Sequence, residues 1–471
     1  MAFTSVAQGL VVELLSDIFL ECLPEGGLTR MQQREAPLNV SHVCRHWRYV
    51  SFSTLRLWTS LSLRCATDES TLEHALPTLQ AFLQRSGSAD FHFKIDCAED
   101  GIDPRFSAPN ASTSWPPIEV LFNELASQSN RIKKLTLTLP QSLSETALKF
   151  SYNTLPALDH LSLQFFAGKV YHRPILEKAF WKAASRLVSL GFDSPSNFLY
   201  NPDEIEISTL KHLAFNSFSY HALLRILNSC PTLESLYFTP IVNSSFMSNA
   251  GGVDVLKQTQ YPSIQVLEMV TDETNDTFLV REFFRLVRLP NLRRLIVSTS
   301  DYIEPDIETF LVASPPPLEE LYLVNDEPSY DEGSLVRILK SLPKLRKLRV
   351  RLHQAVMMAL ILFDVGGKDI CPLLEEVTLD IREMSFEESV QTWTAAEDMI
   401  RSRWKVTKCG LSAARTSIST HSIATPRNLR KINLPAIKEE HWKRHQLYRC
   451  IKDCQRQGLI VGFHDDVGNL T

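Results

Sequence analysis

One short phrase recurs through this chain: an apolar residue, two spacers, a second apolar residue, one spacer and a third. It reads LPALDHLSL (155–163), LKHLAF (210–215), CPTLESLYF (230–238), YPSIQVLEM (261–269) and LPNLRRLIV (289–297). It returns as PPLEELYL (316–323), LPKLRKLRV (342–350), CPLLEEVTL (371–379) and RNLRKINL (427–434), with weaker copies in RIKKLTL (131–137) and RLVSLGF (186–192). The leading apolar residues are Ile132, Leu158, Leu187, Leu210, Leu233, Ile264, Leu292, Leu318, Leu345, Leu374 and Leu429; all gaps but the last lie between 23 and 31 residues.

Apolar residues two apart describe a short strand with one buried face. Helical patterns such as HALLRILNS, TFLVREFFRLV and GSLVRILKS lie between the phrases, and each ends near a proline that cannot continue it. Strand, loop and helix at this period match the leucine-rich repeat, in which stacked units share one core, strands on the concave side and helices on the convex side. A doubly wound α/β domain also alternates strands and helices, but its buried strands read as longer runs of valine and isoleucine. The asparagine usual three residues after the last leucine is replaced by Phe166, Phe218 or Ile241, so the turns are expected to be irregular.

The final gap of 55 residues spans about two periods. It holds a helical pattern at 386–404 and a small, polar segment read as a mobile loop at about 405–426. A charged amphipathic helix, EEHWKRHQLYRCIKDCQRQ, then stops at Gly458, and LIVGFHDD closes the chain as a strand, the C-terminal cap that a solenoid needs. The expected organisation is a helical domain at 1–63, a connecting segment with first irregular repeats at 64–130, a solenoid at 131–437 and a cap at 438–471.

With 44% hydrophobic and 22% charged residues the chain can bury a large core. A net charge of −5 gives no global attraction to phosphate backbones, so no nucleic-acid partner is expected. Nine cysteines without a CxxC pair fit reduced thiols. The N-terminus lacks a basic n-region, and no apolar run approaches the length of a membrane span. These features point to the cytoplasm or nucleus, with no membrane partner.

Residues 10–63 lack the phrase. LVVELLSDIFLECL forms one amphipathic helix, with Glu13 and Asp17 near its start. PLNVSHVCRHWRYV places Leu38, Val40, Val43, Cys44, Trp47 and Val50 on a second, with Pro37 suited to its start. SFSTLRLWTSLSL supplies a third element, capped by Ser53 or Thr54. Their apolar positions cover more than one face per helix, so the excess packs on the first repeat or binds a partner.

ELLSDIF, VCRHWRYV and LRLW together resemble the F-box, most closely the expanded F-box families of mushroom-forming fungi. The resemblance implies docking to the Skp-type adaptor of a Skp–cullin–F-box ubiquitin ligase, with the repeats holding a protein substrate for ubiquitination. Carried over by position, Leu10, Glu13, Leu14, Ile18, Val43 and Trp47 would face the adaptor. Leu15, Phe19, Leu38, Leu57, Trp58 and Leu61 would form the F-box core. The family's Leu-Pro opening reads Leu10-Val11 here, and the proline often found before LRLW is Leu55. The alternative is a leucine-rich-repeat scaffold outside any ligase, its helices only a cap for the first repeat.

No GxSxG, Walker or GxGxxG motif is present, and DVGGKD (364–369) reads as a turn. His441, His445, Cys450 and Cys454 have metal-like spacing, but one helix would hold its ends about 20 Å apart. The pairs Glu319–Glu320 and Glu375–Glu376 read as solvated rims. No catalytic residue, metal or cofactor is therefore assigned, and the chain is read as a non-enzyme. The spacer residues of the strands face the arc, where Arg294, Tyr322, Lys347, Arg349, Arg351 and Glu376 form a candidate substrate face. Its basic strand would suit an acidic or phosphorylated element, unless its charges pair across neighbouring strands.

Overall fold

The computed structural model describes residues 10–24, 27–30, 32–65, 69–97, 116–166, 175–176, 186–193, 199–200, 208–218, 220–240, 258–271, 277–299, 303–325, 332–351, 353–362, 369–380, 386–404, 429–435 and 446–464. The chain is mixed α/β and divides into two compact units, Met1–Leu233 and Glu234–Thr471. The loop expected at about 405–426 lies outside the described residues, as do His441 and His445.

In the first unit, parallel strands follow one another across the main sheet: β1 (Ser60–Cys65), β2 (Phe91–Cys97), β3 (Ile132–Pro140), β4 (His160–Phe166), β5 (Ser189–Asp193) and β6 (His212–Phe218). In the second the run is β7 (Ser235–Pro240), β8 (Val266–Val270), β9 (Arg294–Thr299), β10 (Glu320–Asn325), β11 (Lys347–Arg351), β12 (Glu376–Asp380), β13 (Lys431–Pro435) and β14 (Ile460–His464). Neither run reverses its order, as a doubly wound sheet must at its switch point.

All three apolar positions are buried in all eleven phrases, the leading residues being at most 5% exposed. They meet the helices: Phe238 of β7 packs on Phe283 of a helix at Thr277–Leu286, with ring centroids 5.2 Å apart. Phe284 of that helix packs on Phe310 of the next, Glu304–Ala313, at 5.0 Å. Each buried leucine of this kind contributes roughly 1.5–3 kcal/mol. The repeated phrase thus sets both the sheet and the layer behind it.

The sheet starts earlier than the first phrase. Trp58, Leu61 and Leu63 occupy the three apolar positions of β1, and all are buried. Leu61, expected in the helical core, is therefore a strand residue, and the expected boundary at residue 63 falls inside β1. In β2 the pattern is hidden because Phe91, not residue 90, pairs with the leading Ile132, with a register shift at His92. In β14 the leading apolar residue is likewise one place late, Leu459, after Gly458 at φ +104. Gly462 of β14 leaves room for the Asn433 amide, which donates to Glu376 Oε1 at 2.8 Å and Thr378 Oγ1 at 2.9 Å. An added Cβ there would collide with Asn433 Oδ1.

The N-terminal helices are α1 (Val12–Glu21), α2 (Leu38–Ser41) and α3 (Arg45–Ser53). The expected second helix is broken because Cys44 is extended, at φ −157 and ψ 174, and its Sγ accepts the Trp47 N–H, starting a new helix. The third element is only a 3-10 turn, Leu55–Trp58, since β1 takes over at Ser60. Thr54 precedes that turn without a side-chain cap, its hydroxyl donating back to Val50 O at 2.8 Å.

Val11 occupies the residue before α1 with φ −66, the angle a proline ring fixes. Val11→Pro is therefore expected to stabilise the fold by roughly 0.5–1 kcal/mol through a less mobile unfolded chain. A lower melting temperature for this variant, measured calorimetrically, would contradict that.

Candidate interaction surfaces

Helix α1 is apolar on two faces. Leu15 and Phe19 are fully buried, whereas Val11, Leu14 and Ile18 are 56%, 52% and 45% exposed. Spacings of three and four residues put the exposed trio on one stripe. Phe19 packs on Trp47 of α3 with ring centroids 5.0 Å apart, and Trp47 itself is half-buried. Val43, in the break before α3, is 60% exposed. Leu10 is half-buried and Glu13 exposed. The residues assigned to the adaptor thus all keep accessible surface, and four of them lie on one short helix and its lead-in.

Of the assigned core, Leu15, Phe19, Leu57, Trp58 and Leu61 are fully buried and Leu38 is half-buried. Trp58 Nε1 donates to Ser51 O at 2.8 Å. Its ring meets Phe82 edge-on at 5.0 Å, on the helix α4 (Glu69–Arg85). Arg85 of α4 lies over the rings of Trp58 and Phe52 at 4.3 and 4.2 Å. Burial lowers the Arg85 pKa from its ordinary value.

The assigned substrate face lies on β9 to β12. In register order, Arg294, Glu320, Lys347, Glu376 and Lys431 form one row of alternating sign. Arg294 pairs with Glu320 at 3.6 Å, Lys347 with Glu320 at 2.7 Å, and Lys431 with Glu376 at 2.8 Å. The Glu320 hydrogen bond holds the Lys347 pKa above its ordinary value despite partial burial. One residue earlier, Arg293, Glu319, Arg346, Glu375 and Arg430 repeat the alternation. Their pairs measure 3.2 Å (Arg293–Glu319), 2.5 Å (Arg346–Glu375) and 3.6 Å (Arg430–Glu375).

Arg349 is held by Asp380 through two hydrogen bonds, Nε at 3.0 Å and Nη2 at 3.3 Å. Burial, then the charge of Glu320, raises the Tyr322 pKa. Arg294 stands over the Tyr322 ring at 5.6 Å. Arg351 lies opposite Asp380 in the register. Lys347 and Arg349 are therefore already engaged by carboxylates of adjacent strands. An acidic ligand here would have to displace Glu320 or Asp380, so the electrostatic case for this face is weaker than the sequence alone implied.

Three buried arginines escaped the sequence reading. Arg131 donates to Leu83 O at 2.6 Å and Ser86 Oγ at 2.7 Å at the end of α4. Arg288 donates to the carbonyls of Phe284, Arg285 and Val287. Arg403 donates to those of Leu360, Ile370 and Cys371. Each serves carbonyl groups at a helix end or turn, where the regular backbone ladder stops.

On β2, His92 has its pKa pushed down to about 4 by burial, then by the charges of Lys134, His160 and Lys94. An unfolded histidine takes its proton near pH 6.5. Between these values the unfolded chain holds more protons, so stability falls as the pH drops through the window. Because the ring is partly solvated, the expected loss between pH 7 and 4 is about 2 kcal/mol at most. Urea unfolding at stepped pH should show that loss reduced in His92→Gln; an unchanged pH profile would refute the assignment.

Among the described residues, no three His, Cys, Asp or Glu side chains gather to hold a metal ion, and no helix is long and apolar enough to cross a membrane. Cys450 and Cys454 are buried in the helix Gln446–Arg456. No protein-family model matches the chain, and comparison with curated proteins yields no match.

Proposed function

We propose that this chain is the substrate-receptor subunit of a Skp–cullin–F-box ubiquitin ligase. In this reading residues 10–58 are the F-box and the strand stack is an irregular leucine-rich-repeat solenoid that holds a protein substrate. The observation that carries it is the exposed stripe of Val11, Leu14 and Ile18 on α1 and its lead-in, with Val43 exposed in the break before α3, while Leu15 and Phe19 on the other side of α1 are already buried. Apolar groups left in water on an otherwise packed helix are what a partner surface would cover. The chain would act by proximity, fixing adaptor and substrate on one body while partner subunits supply the transfer chemistry.

The test is complex formation with a Skp-type adaptor. Leu14→Asp is expected to weaken the complex about 30-fold or more, as loss of an interface anchor worth roughly 2 kcal/mol does. The melting temperature should stay unchanged, because Leu14 does not contribute to the core. Separate elution of folded wild-type protein and adaptor at about 10 µM would overturn the proposal.

The burial of Trp58 between the N-terminal helices, α4 and β1 favours a second reading, a scaffold in which those helices only close the end of the sheet. It predicts no adaptor complex, and Leu14→Asp without effect on any partner.

A further inference from the structure

Residues 36–67 contain no aspartate or glutamate, yet carry Arg45, Arg48, Arg56 and Arg64, in a chain of net charge −5. Spacings of three and four residues put Arg45, Arg48, Tyr49 and Phe52 on one side of α3, and all four are exposed, Tyr49 at 67%. Helix α1 packs on the opposite side, where Phe19 meets Trp47 and Ser16 Oγ lies 2.9 Å from Thr54 Oγ1. At about 3.6 residues per turn, Trp47 stands roughly half a turn from the Arg45–Phe52 stripe. Glu13 and Asp17 of α1 are therefore behind α3 rather than beside its arginines. The stripe continues past the helix. The Arg85 guanidinium lies over Phe52 at 4.2 Å. Leu55 is 3.6 Å from where a Cβ on Gly87 would stand, with exposed Arg56 beside it. Among the described residues, Arg45, Arg48, Arg56 and Arg85 make no ion pair, although Arg48 gives one N–H to Ser41 O at 3.0 Å. Nearby carboxylates are few. Asp90 is exposed three residues past Gly87, and half-buried Glu35 before α2 has exposed Arg34 as its neighbour. Glu124 accepts from Gln80 of α4 at 2.9 Å. Glu69 and Glu73 belong to the far end of α4, Glu73 about 18 Å along the helix from Arg85. Arg45, Arg48, Arg56 and Arg85 thus surround Tyr49, Phe52 and Leu55 with only Asp90 to set against them.

We infer that the exposed side of α3 and the turn after it dock an acidic amphipathic segment of a partner protein, at a surface separate from the apolar stripe of α1. Carboxylates of that segment would meet guanidinium forks, whose planar geometry suits them in bidentate pairs. Its apolar side chains would cover Tyr49, Phe52 and Leu55, which otherwise stay in water among the cations. A nucleic acid fits less well. The four arginines would neutralise about four phosphates, against the roughly six to ten contacts of a strong binder. Phe52 already has Arg85 on its ring, which leaves Tyr49 as the open platform on this side for a base to stack on. A helix built to lie on a bilayer keeps cations and apolar residues on opposite faces, whereas here they are intermixed. The inference goes beyond the ligase reading and does not depend on it.

The experiment is fluorescence anisotropy of a labelled peptide of about twelve residues, with Glu and Leu at helical spacing, titrated with the full chain. Beside it run the Lys/Leu peptide of the same pattern, an oligonucleotide of about twelve nucleotides and phosphatidylserine vesicles. The Glu/Leu peptide is expected to bind, with affinity falling as salt is raised. Arg45→Glu combined with Arg48→Glu should weaken it tenfold or more. Arg456→Glu, at an exposed cation of the second unit, should leave it unchanged. Should the double variant fail to fold by circular dichroism, Tyr49→Ser with Arg56→Glu replaces it, both positions being exposed. No binding at about 100 µM, equal loss in Arg456→Glu, or tighter binding of the Lys/Leu peptide, the oligonucleotide or the vesicles overturns the inference. Adaptor binding is measured on the same samples, and adaptor and peptide should bind together. Competition between them would make the basic side part of the adaptor site and likewise overturn the inference. An adaptor complex without peptide binding sinks this inference alone, and peptide binding without an adaptor complex sinks the ligase reading alone.

Discussion

Trp58→Ala is expected to destabilise the first unit by about 3–5 kcal/mol, the usual cost of emptying a site of this size in a packed core. The ring is fully buried between α3, α4 and β1 and meets Phe52 and Phe82 edge-on. Its removal also leaves Ser51 O without the indole N–H and takes the aromatic face from under Arg85. Trp58→Phe keeps most of the apolar volume and should cost only about 1–2 kcal/mol, mainly through the lost hydrogen bond. Urea unfolding followed by tryptophan-independent circular dichroism separates the two. Because Trp58 lies in the turn that leads into β1, the first strand of the sheet, the alanine variant should also expose the N-terminal helices to proteolysis before the rest of the chain. A loss below about 1 kcal/mol would mean that the helices and β1 are held together by other contacts.

Arg403→Met should cost a comparable amount, about 3–5 kcal/mol, although the two side chains have similar length. Arg403 is 1% exposed and gives Nε to Leu360 O at 2.5 Å, Nη1 to Cys371 O at 2.8 Å and Nη2 to Ile370 O at 2.6 Å. Burial pulls its pKa down to about 10, so it remains a cation at neutral pH. Methionine would take the guanidinium from all three carbonyls, of which Cys371 O keeps only the Leu374 N–H at 3.2 Å, and each lost bond carries its own desolvation cost. One carbonyl belongs to Cys371, held at φ +49, a conformation unfavourable for a side chain of this kind. Arg403→Lys should recover only part of the stability, because one ammonium cannot span all three acceptors. Equal stability of wild type and Arg403→Met in chemical unfolding would refute this account.

The strands were legible wherever the leading leucine kept its spacing, because a single phrase encodes both the buried face and the period. Where that residue moved by one, at Phe91 and Leu459, the strand became invisible as a repeat although its two following apolar residues stayed in place. The tryptophan at position 58 hid β1 differently, by looking like part of a helix. The break at Cys44 carried no proline or glycine, and only the sulfur-to-backbone hydrogen bond explains it. The charged spacers were identified from alternation, but their pairing depended on register, which no single strand contains. The buried arginines were illegible for a related reason. Their partners are backbone carbonyls and, for Arg131, the neutral side chains of Ser86 and Gln128, so no carboxylate in the sequence marks Arg131, Arg288 or Arg403 as anything but a solvated cation.

The alternating rows of the second unit impose a rule of parity on the chain. Excising the β10 repeat alone would set Arg294 directly beside Lys347, and Arg293 beside Arg346, two like-charge clashes in register. Excising the β10 and β11 repeats together would set Arg294 beside Glu376 and keep every neighbour opposite in sign. Between Arg293 and Lys431, then, rungs are not interchangeable, and this stretch of sheet can shorten or lengthen smoothly only two repeats at a time.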